Sequence, residues 1–425
     1  MHVLIIGAGL GGLTCARELT RRGIRVTLIE ASDGVGGRVR SDQVNGYILD
    51  RGFQVLFDAY PAAQRQLDLN ALALQPFDPG AIICAGGRRI VLTDPLRDPD
   101  LGARLQATLE LRISPLDKLR TLQLALELKS QTVDQMLAGP DTTSESFLQK
   151  RGFSERFIDL FFRPFYGGIL FDRTLQTSAK CLKFDFKMLA DGQTAVPANG
   201  MGEISHQLAA PLQHVVRLNT RVEALVRNAN TITGIRLNTG EVLYGDAVVI
   251  ATPAPEASRL SGEAMPSGHR QTATLYFTGD TPFYRAKKLL LNADPNALIN
   301  NAQLLTNVNP RYAPPGKHLL STVTIGIPAM SDIELYKAAL RDLQHMFVGD
   351  NQAQAALATY QPLAIYRIPY AQFDQPPGRH PTLPDNRTNQ RGLYLSGELT
   401  EASSLNAAMV SGEKCAAAIL NDYPR

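Results

Sequence analysis

Three glycines near the start of the chain have the spacing of a phosphate-binding loop. Gly7, Gly9 and Gly12 follow the pattern GxGxxG. The first allows a tight turn, the second lets a pyrophosphate approach the backbone, and the third lets a helix pack close to a strand. Leu10 and Gly11 would begin that helix, whose free N–H groups and positive dipole end would face the phosphates. The segment is therefore predicted to bind a dinucleotide.

An acidic residue follows at the predicted end of a second strand. Glu30 lies 18 positions after Gly12 and ends the apolar run IRVTLIE. A carboxylate at this place can accept hydrogen bonds from both hydroxyls of an adenosine ribose, and it would repel a phosphate on the 2′ position. Glu30 and its neighbour Ala31 are therefore predicted to contact the ribose.

A second glycine pair comes only a few residues later. Gly36 and Gly37 precede Arg38 in ASDGVGGRVRS, where a simple nicotinamide dehydrogenase would continue into another helix. These glycines would let the backbone approach the same pyrophosphate from its far side, and the arginine would add a permanent positive charge. The alternative is a surface turn with an exposed arginine. Alternating apolar residues around Asn45-Gly46 predict a β-hairpin directly afterwards.

These loops require strands and a helix to hold them in place. Residues 2–6 form a β-branched apolar run, which is typical of a strand buried on both faces of a parallel sheet. Leu13, Ala16 and Leu19 then recur at helical spacing, and Gly23 ends the helix. The order of strand, glycine loop, helix, strand and acid is that of a dinucleotide-binding βαβ unit.

Length and composition limit the classes of protein to consider. The 425 residues exceed what one hydrophobic core usually holds, which indicates two domains, and the net charge of +3 is spread rather than clustered. Such a balance does not indicate nucleic-acid binding. The four cysteines show no CxxC spacing and are predicted to be free thiols in a reducing compartment. No apolar run approaches the ~20 residues that span a bilayer, so a cytoplasmic location is expected.

The two glycine motifs, at residues 7–12 and 36–38, together resemble the N-terminal signature of the flavin-dependent amine oxidase superfamily. This superfamily includes monoamine and polyamine oxidases, protoporphyrinogen oxidase, and the phytoene desaturase and carotenoid isomerase enzymes. The resemblance implies FAD as the cofactor. No cysteine lies near residues 396–406, where some members attach flavin covalently, so non-covalent FAD is expected.

Further segments extend this resemblance over most of the chain. RGFQVLFDAYPAAQ at 51–64 and VPANGMGEISHQLA at 196–209 are similar to stretches of phytoene-desaturase-type members, and residues 392–420 resemble the closing motif of the superfamily. The backbone of Val222 matches the position that meets adenine. The resemblance implies that FAD is bound by Gly7, Gly9, Leu10, Gly11, Gly12, Glu30, Ala31, Gly36, Gly37, Arg38, Val222, Gly397, Glu398, Leu405 and Asn406.

The closing motif can also be interpreted from its residues. A strand at 393–396 precedes a sharp turn and an alanine-rich helix over 405–420, for which Ser403 or Ser404 would be the N-cap. The N-terminus of such a helix would stabilise the negative charge of a reduced flavin. Glu398 matches the acidic residue that the superfamily has near the ribityl chain and pyrophosphate.

The expected fold class is α/β. A Rossmann-type FAD-binding domain with a parallel sheet would comprise residues 1–77, 191–262 and 381–425. An α+β substrate-binding domain, inserted in two pieces, would comprise residues 78–190 and 263–380. The first piece is predicted to be mainly helical, whereas the second alternates strands with a helix near residue 332.

Two features of the inserted pieces bear on the substrate. Phe161, Phe162, Phe165 and Tyr166 form an aromatic cluster that is a candidate pocket wall, although each ring could equally be ordinary core. The amphipathic helices between residues 101 and 130 carry Arg104, Arg112, Lys118 and Arg120, which fit either a solvated face or contact with a membrane surface.

The superfamily resemblance implies hydride transfer from a substrate C–H bond to flavin N5. The aromatic ring of amine oxidases is missing from the closing motif, and Lys287 and Lys288 are interpreted as surface charge. These departures favour an apolar substrate, such as a carotenoid-like molecule, over an amine. The alternatives are a flavin amine oxidase acting on a C–N bond and a flavin-binding protein without turnover.

No side chain is assigned as a general base from the sequence. Candidates that face the flavin are Gln54, Phe165, Tyr166 and Asn406, because their motifs are expected at the ring. No histidine pair has metal-binding spacing, so no metal is expected. Oxygen or a quinone would accept the electrons, and the partner is a small hydrophobic molecule.

Overall fold

Apolar and β-branched runs along the chain form the strands of two large sheets. The computed structural model describes residues 1–94 and 97–424. Within these residues the strands are β1 His2–Ile6, β2 Arg25–Ile29, β3 Ser41–Val44, β4 Tyr47–Asp50, β5 Leu56–Phe57, β6 Gln75–Pro76, β7 Ala81–Ala85, β8 Arg88–Leu92, β9 Thr194–Val196, β10 Val216–Arg217, β11 Val222–Asn228, β12 Thr231–Leu237, β13 Val242–Tyr244, β14 Ala247–Ile250, β15 His269–Gly279, β16 Leu289–Asn292, β17 Ile299–Leu304, β18 His318–Ile325, β19 Gln361–Phe373 and β20 Leu393–Leu395.

Helices cover the faces of both sheets. They are α1 Leu10–Arg21, α2 Pro61–Gln66, α3 Leu101–Leu109, α4 Pro115–Ser130, α5 Val133–Leu137, α6 Ser144–Lys150, α7 Glu155–Phe157, α8 Arg163–Leu170, α9 Ala179–Asp191, α10 Gly202–Ala209, α11 Ala254–Ser261, α12 Leu305–Val308, α13 Asp332–Met346, α14 Asn351–Leu357 and α15 Leu405–Asp422. A π-helical segment, Ile158–Phe162, connects α7 to α8 without a break.

The first sheet has five parallel strands in the order β10-β2-β1-β14-β20. Helices α1 and α15 pack side by side on one face, and the small antiparallel sheet β11-β12-β13 covers the other through a shared apolar core. Because parallel strands end at the same edge, Gly7, Glu30, Ala251 and Gly397 come together there. The predicted α/β class with a parallel sheet is confirmed.

The second sheet has seven strands in the order β19-β15-β18-β17-β16-β7-β8. Alternate residues of β7 explain its two covered faces. Ile82 and Cys84 belong to the apolar core that includes α13 and α14. Ala81 and Ile83 instead belong to the core formed with α4, α8 and α9. The sheet is therefore buried on both sides.

The strands of each sheet come from separated parts of the chain. Residues 2–29, 216–250 and 393–395 supply the parallel sheet, whereas residues 81–92 and 269–373 supply the seven-stranded sheet. This distribution supports the division into an FAD-binding and an inserted substrate-binding domain, whose boundaries we retain as a proposal. The predicted hairpin is confirmed as β3 and β4, with positive φ angles at Asn45 and Gly46.

Candidate functional site

The first glycine loop combines two tight contacts with one open position. A Cβ atom on Gly12 would lie 2.0 Å from the carbonyl oxygen of Gly7, so this glycine lets α1 start directly behind β1. A Cβ on Gly7, where φ is +103°, would lie 2.7 Å from the Ala251 carbonyl oxygen. A Cβ on Gly9 would meet no atom within 4 Å. The loop therefore leaves free space beside Gly9, as a pyrophosphate requires.

The second glycine pair lies against the first loop. The Gly36 N–H donates a 2.7 Å hydrogen bond to the Ala8 carbonyl, and Gly36 forms a bridge with Gly9. Gly36 has a φ of +110°, and a Cβ there would lie 2.4 Å from the Val39 carbonyl oxygen. Gly37 follows with a φ of +59°. Two stretches of close-approaching backbone thus lie side by side at the edge of the parallel sheet.

Glu30 connects the two loops through its carboxylate. Its Oε2 accepts a 2.8 Å hydrogen bond from the Ala8 N–H, while its Oε1 accepts hydrogen bonds from the N–H and hydroxyl of Ser32. A carboxylate has about four acceptor positions, so it retains capacity for a ribose hydroxyl. The acid therefore fixes the loop geometry in addition to its predicted contact with a ligand.

Arg38 projects from the second loop towards the closing motif. Its guanidinium forms a 2.7 Å ion pair with Glu398, donates a 2.8 Å hydrogen bond to the Ala371 carbonyl, and lies over the ring of Tyr370. The Ser403 hydroxyl donates a further hydrogen bond to Glu398. The side chain is 36% exposed and is not a free surface arginine. A charged pair therefore stands beside the predicted pyrophosphate position.

The start of α15 lies against the first loop. Ser404 is its N-cap, because the hydroxyl accepts a 3.0 Å hydrogen bond from the Ala407 N–H. A Cβ on Gly11 would lie 2.7 Å from Gly397 Cα, so the two loops touch through glycine backbone. Asn406 differs from the expectation that its side chain faces the ring. It lies behind the cavity wall, where its Oδ1 accepts a hydrogen bond from the Ala62 N–H.

One cavity of about 2040 Å³ connects these loops to the inserted segments. Pockets for a single drug-sized ligand have roughly 300–1,000 Å³, so this cavity has room for a dinucleotide and a second molecule. Apart from Gly12 and Asn406, every predicted FAD contact lines it: Gly7, Gly9, Leu10, Gly11, Glu30, Ala31, Gly36, Gly37, Arg38, Val222, Gly397, Glu398 and Leu405.

Polar atoms in the cavity wall also fit a bound dinucleotide. Gln54 Oε1 and Thr252 Oγ1 are buried and have no hydrogen-bond partner among the described residues, and each belongs to a lining residue. Buried polar atoms are seldom left without partners, so a polar ligand at this site would satisfy them. Together with the open cradle at Gly9, they show that the residues present fit FAD.

The aromatic candidates Phe165 and Tyr166 lie on a different wall of the same cavity. Phe165 stacks on Phe161 with ring centroids 5.2 Å apart, and Tyr166 is only 1% exposed. Gln54 also lines the cavity, and its amide donates a 2.8 Å hydrogen bond to the Arg38 carbonyl. The π-helical segment before α8 turns Phe161 towards the cavity, in agreement with the frequent occurrence of π-bulges at functional sites.

Among the lining residues that sequence reasoning missed is a buried acid, Asp185 on α9. Its carboxyl is buried, and burial raises its pKa to about 7. The sequence signal was the stretch KFDFK, in which an acid lies between phenylalanines in an otherwise apolar helix face. Charged residues are rarely buried without a partner, so this pattern could have identified the position.

Helices α3 and α4 expose leucines rather than charges. Lys118 donates hydrogen bonds to the carbonyls of Ala107, Thr108 and Glu110, which end α3, and Arg112 pairs with Glu110 at 2.7 Å. The leucines are instead exposed by 49–90%: Leu101, Leu105, Leu109, Leu111, Leu116, Leu119, Leu122 and Leu126. Of these, Leu119, Leu122 and Leu126 also line the cavity. We call this surface the leucine face.

Lys288 contradicts the interpretation as surface charge. Its side chain is 2% exposed and forms a 2.6 Å ion pair with Asp98, which also accepts a hydrogen bond from Thr93.

None of the helices in the described part of the chain is long and apolar enough to cross a membrane. Within residues 1–94 and 97–424, no group of three or more histidine, cysteine and acidic side chains could hold a metal ion.

The fold and the cavity define a dinucleotide-binding protein with a second sheet over its ligand site. Residues 10–420 match the sequence profile of the family described as flavin containing amine oxidoreductase, and the chain belongs to this family. Its members are flavin oxidoreductases, and the protein is an enzyme of this class. The resemblance stated from the sequence motifs is thereby confirmed.

The proteins that this chain resembles include enzymes named for phytoene and an enzyme named for putrescine. The chain is 25% identical over 479 residues to 15-cis-phytoene desaturase of an Oncidium hybrid cultivar, covering 100% of this chain and 78% of that protein. It is 27% identical over 377 residues to phytoene dehydrogenase of Streptomyces griseus, covering 75% and 71%. A solved structure of a putrescine oxidase double mutant has a TM-score of 0.74 and 20% identity, covering 99% of each chain.

Proposed function

We propose that the protein is an FAD-dependent oxidoreductase that removes hydride from a C–H bond of an apolar, carotenoid-like substrate. The observation that carries this proposal is the single cavity, which runs from the paired glycine loops past an aromatic wall to exposed leucines. The named relatives that act on phytoene support the apolar class.

The residues divide the task of holding FAD. The loops at 7–12 and 36–38 would hold the pyrophosphate, Glu30 the ribose, and Val222 the adenine side. When bound, FAD supplies the acceptor for hydride and its two electrons. The cysteines are Cys15, Cys84, Cys181 and Cys415, and each is buried away from the cavity lining. In the described part of the chain no cysteine lines the cavity, which supports non-covalent attachment.

Phe161, Phe165 and Tyr166 would pack along an extended apolar substrate. Aromatic walls exclude water and hold a C–H bond in a fixed orientation, which is the positioning that hydride transfer needs. The closing motif has no aromatic ring of the amine oxidase kind at Leu405 or Asn406, which favours an apolar substrate over an amine.

Anaerobic mixing of the flavin-loaded protein with candidate substrates tests the proposal. We expect phytoene or a related polyene in detergent micelles to bleach the oxidised flavin band, while putrescine leaves it unchanged. Admitting air or a quinone afterwards identifies the acceptor by the return of the band. Bleaching by amines alone would overturn the apolar substrate. A colourless protein that fails to bind added FAD would overturn the cofactor.

We further propose that the leucine face rests on a lipid bilayer, from which the substrate enters the cavity. Eight exposed leucines on two helices and the turn between them form a larger apolar surface than scattered surface residues do. The face is continuous with the cavity through Leu119, Leu122 and Leu126, so a molecule dissolved in lipid would reach the flavin site without crossing water. An interfacial helix pair of this kind binds by burying apolar side chains among lipid headgroups.

Vesicle sedimentation measures this contact directly. Replacing Leu105, Leu109 and Leu111 by serine changes exposed residues outside the cavity lining, so folding and FAD binding are expected to persist. We expect the triple variant to lose at least about tenfold in binding to phosphatidylcholine–phosphatidylglycerol vesicles. The matched control replaces Ile333 and Val348, which are exposed by 68% and 54% elsewhere on the surface.

Two outcomes would contradict the membrane proposal. Equal vesicle binding by the triple variant and the wild type would show that the leucine face does not contact lipid. Self-association that the triple variant loses, with no binding of either protein to vesicles, would identify the face as an interface between copies of this chain. Sedimentation and size-exclusion chromatography of the same samples separate these results.

A further inference from the structure

An unpaired acid lies in the wall of the substrate part of the cavity. Asp185 is 6% exposed, lies on α9 and lines the cavity together with Phe186 and Leu189. In residues 1–94 and 97–424, no side chain or backbone group forms a hydrogen bond or an ion pair with its carboxyl. A buried carboxylate without partners costs several kcal/mol, so its position in an apolar wall calls for an explanation beyond folding.

The surroundings of Asp185 allow its carboxyl to gain and lose a proton near neutral pH. Burial raises the pKa of the carboxyl to about 7. The titratable groups that face it are the phenols of Tyr60 and Tyr166 and the thiol of Cys181, whose own pKa values are raised and which stay neutral. No cation neutralises the acid within the described part of the chain.

The charged groups on α9 and on the helices packed against it are directed elsewhere. Lys183 donates to the Met136 carbonyl, and Lys187 donates to the Leu128 carbonyl and pairs with Asp191. On α4, Glu127 pairs with Arg151, whereas Lys129 is exposed and lines the same cavity without forming an ion pair with Asp185. Asp185 is therefore the ionisable carboxyl that a substrate beside Tyr60 and Tyr166 would meet.

We propose that Asp185 is a catalytic residue whose carboxylate accepts a proton from the substrate during formation of a carbon–carbon double bond. This role rests on the proposed function. Removing two hydrogens from adjacent carbons requires an acceptor for a hydride and an acceptor for a proton. The glycine loops would hold the cofactor that accepts the hydride. The Asp185 carboxylate would accept the proton.

The atoms and electrons of this step balance. One C–H bond breaks, and its hydrogen leaves with both electrons to the oxidant that the proposed function names. The neighbouring C–H bond also breaks, and its hydrogen leaves as a proton to the Asp185 carboxylate. The electron pair of this second bond becomes the new π bond. The carboxylic acid later releases the proton to solvent.

Rapid anaerobic mixing of flavin-loaded wild type and Asp185→Asn with a polyene substrate tests the role. In the wild type we expect the rate of bleaching to rise with pH and to level off above about 7, because only the ionised acid accepts a proton. In D185N we expect a rate at least about 100-fold lower without that rise, although substrate binding is retained. Asp191→Asn changes an acid of the same helix that pairs with Lys187 outside the cavity lining, and it serves as the control that preserves the pH profile.

Two further measurements separate a chemical role from a structural one. Difference infrared spectroscopy of the flavin-loaded protein should show a protonated carboxyl band that titrates near pH 7 and is absent from D185N. In Asp185→Ala, added formate should restore part of the bleaching rate by filling the vacated space. The formate rescue does not depend on how well D185N folds.

The outcomes also separate this inference from the proposed function. A wild type that no polyene bleaches would overturn both. A D185N variant that bleaches at the wild-type rate, or more slowly with the same pH profile, would overturn the role of Asp185 and leave the apolar substrate standing. Loss of polyene binding in D185N, with the chemical step unchanged at saturation, would make Asp185 a binding group and would equally overturn the proposal.

Discussion

Gly9 and Gly12 belong to the same loop but meet different surroundings. The space beside Gly9 is open, whereas a Cβ on Gly12 would overlap the backbone of Gly7. The GxGxxG pattern predicted both roles, because each glycine has a fixed place in a βαβ unit. The pattern could not show that Gly36 bonds to Ala8 and so joins the second loop to the first, since that contact depends on how the intervening strand folds back.

Substituting alanine at these two glycines should separate ligand binding from folding. Gly9 has a φ of −73°, which alanine adopts readily. We therefore expect the free energy of unfolding of flavin-free G9A to lie within about 1 kcal/mol of the wild-type value. Its methyl group enters the pyrophosphate space, and FAD affinity should fall at least about tenfold. We expect G12A to lose about 3 kcal/mol or more of stability through overpacking. Thermal unfolding and flavin content of the purified proteins check both expectations.

The reverse pattern would contradict this division of roles. If G9A were strongly destabilised without flavin, Gly9 would be needed for the loop itself. If G12A bound flavin with wild-type stability, the start of α1 would have more freedom than its contacts allow. A fluorescence titration with FAD and a melting curve of the same sample distinguish these cases.

Element boundaries were predictable where local chemistry fixes them. Ser404 was one of two candidate caps of the final helix, and α15 does begin at Leu405 with Ser404 bonded to Ala407. The exposed face of the amphipathic helices near residues 101–130 was harder to predict. Polar and apolar residues alternate there without showing which face the rest of the protein covers. In the structure, the Lys118 side chain donates a hydrogen bond to a carbonyl near the end of α3, and the leucines are exposed to solvent. Only the tertiary packing determines that choice.

The cap of α15 offers a test at the scale of one helix. Ser404→Ala removes the hydrogen bond to Ala407 and should cost about 1 kcal/mol of stability. Ser331→Ala removes the equivalent cap of α13 at a similar cost, and Ser331 is not a lining residue of the cavity. We expect only S404A to weaken flavin binding as well, because Ser404 lines the cavity. Equal flavin affinity in the two variants would show that the start of α15 does not contribute to the cofactor site.

At the scale of the whole molecule, the sequence predicted the parallel sheet and an aromatic pocket wall, but not the full set of residues that meet in the cavity. The parallel sheet follows from its apolar strands and glycine loop, and the interrupted chain order was suggested by the resemblance to the superfamily. The meeting of Tyr60, Tyr166 and Asp185 could not be predicted, since these residues come from three separate elements and have no shared motif. Their proximity is a consequence of packing α8 and α9 against the segment before α2.

The buried acid should also make the stability of the whole protein depend on pH. Its pKa is raised from 3.8 to about 7 on folding, so the folded state binds a proton that the unfolded state has lost between these values, and stability falls as pH rises through this range. A shift of this size corresponds to about 4 kcal/mol of folding stability, present at pH 4 and lost above pH 7.

Asp185→Asn removes this dependence, so D185N should gain stability relative to the wild type as pH increases. Asp50, whose pKa burial raises to about 6, contributes in the same direction to both proteins and therefore cancels in the comparison. Melting temperatures of the two flavin-free proteins at pH 5 and pH 8 measure the effect, because bound cofactor would add its own stabilisation. A difference between the proteins that stays constant over this range would show that Asp185 is solvated and not buried in the cavity wall.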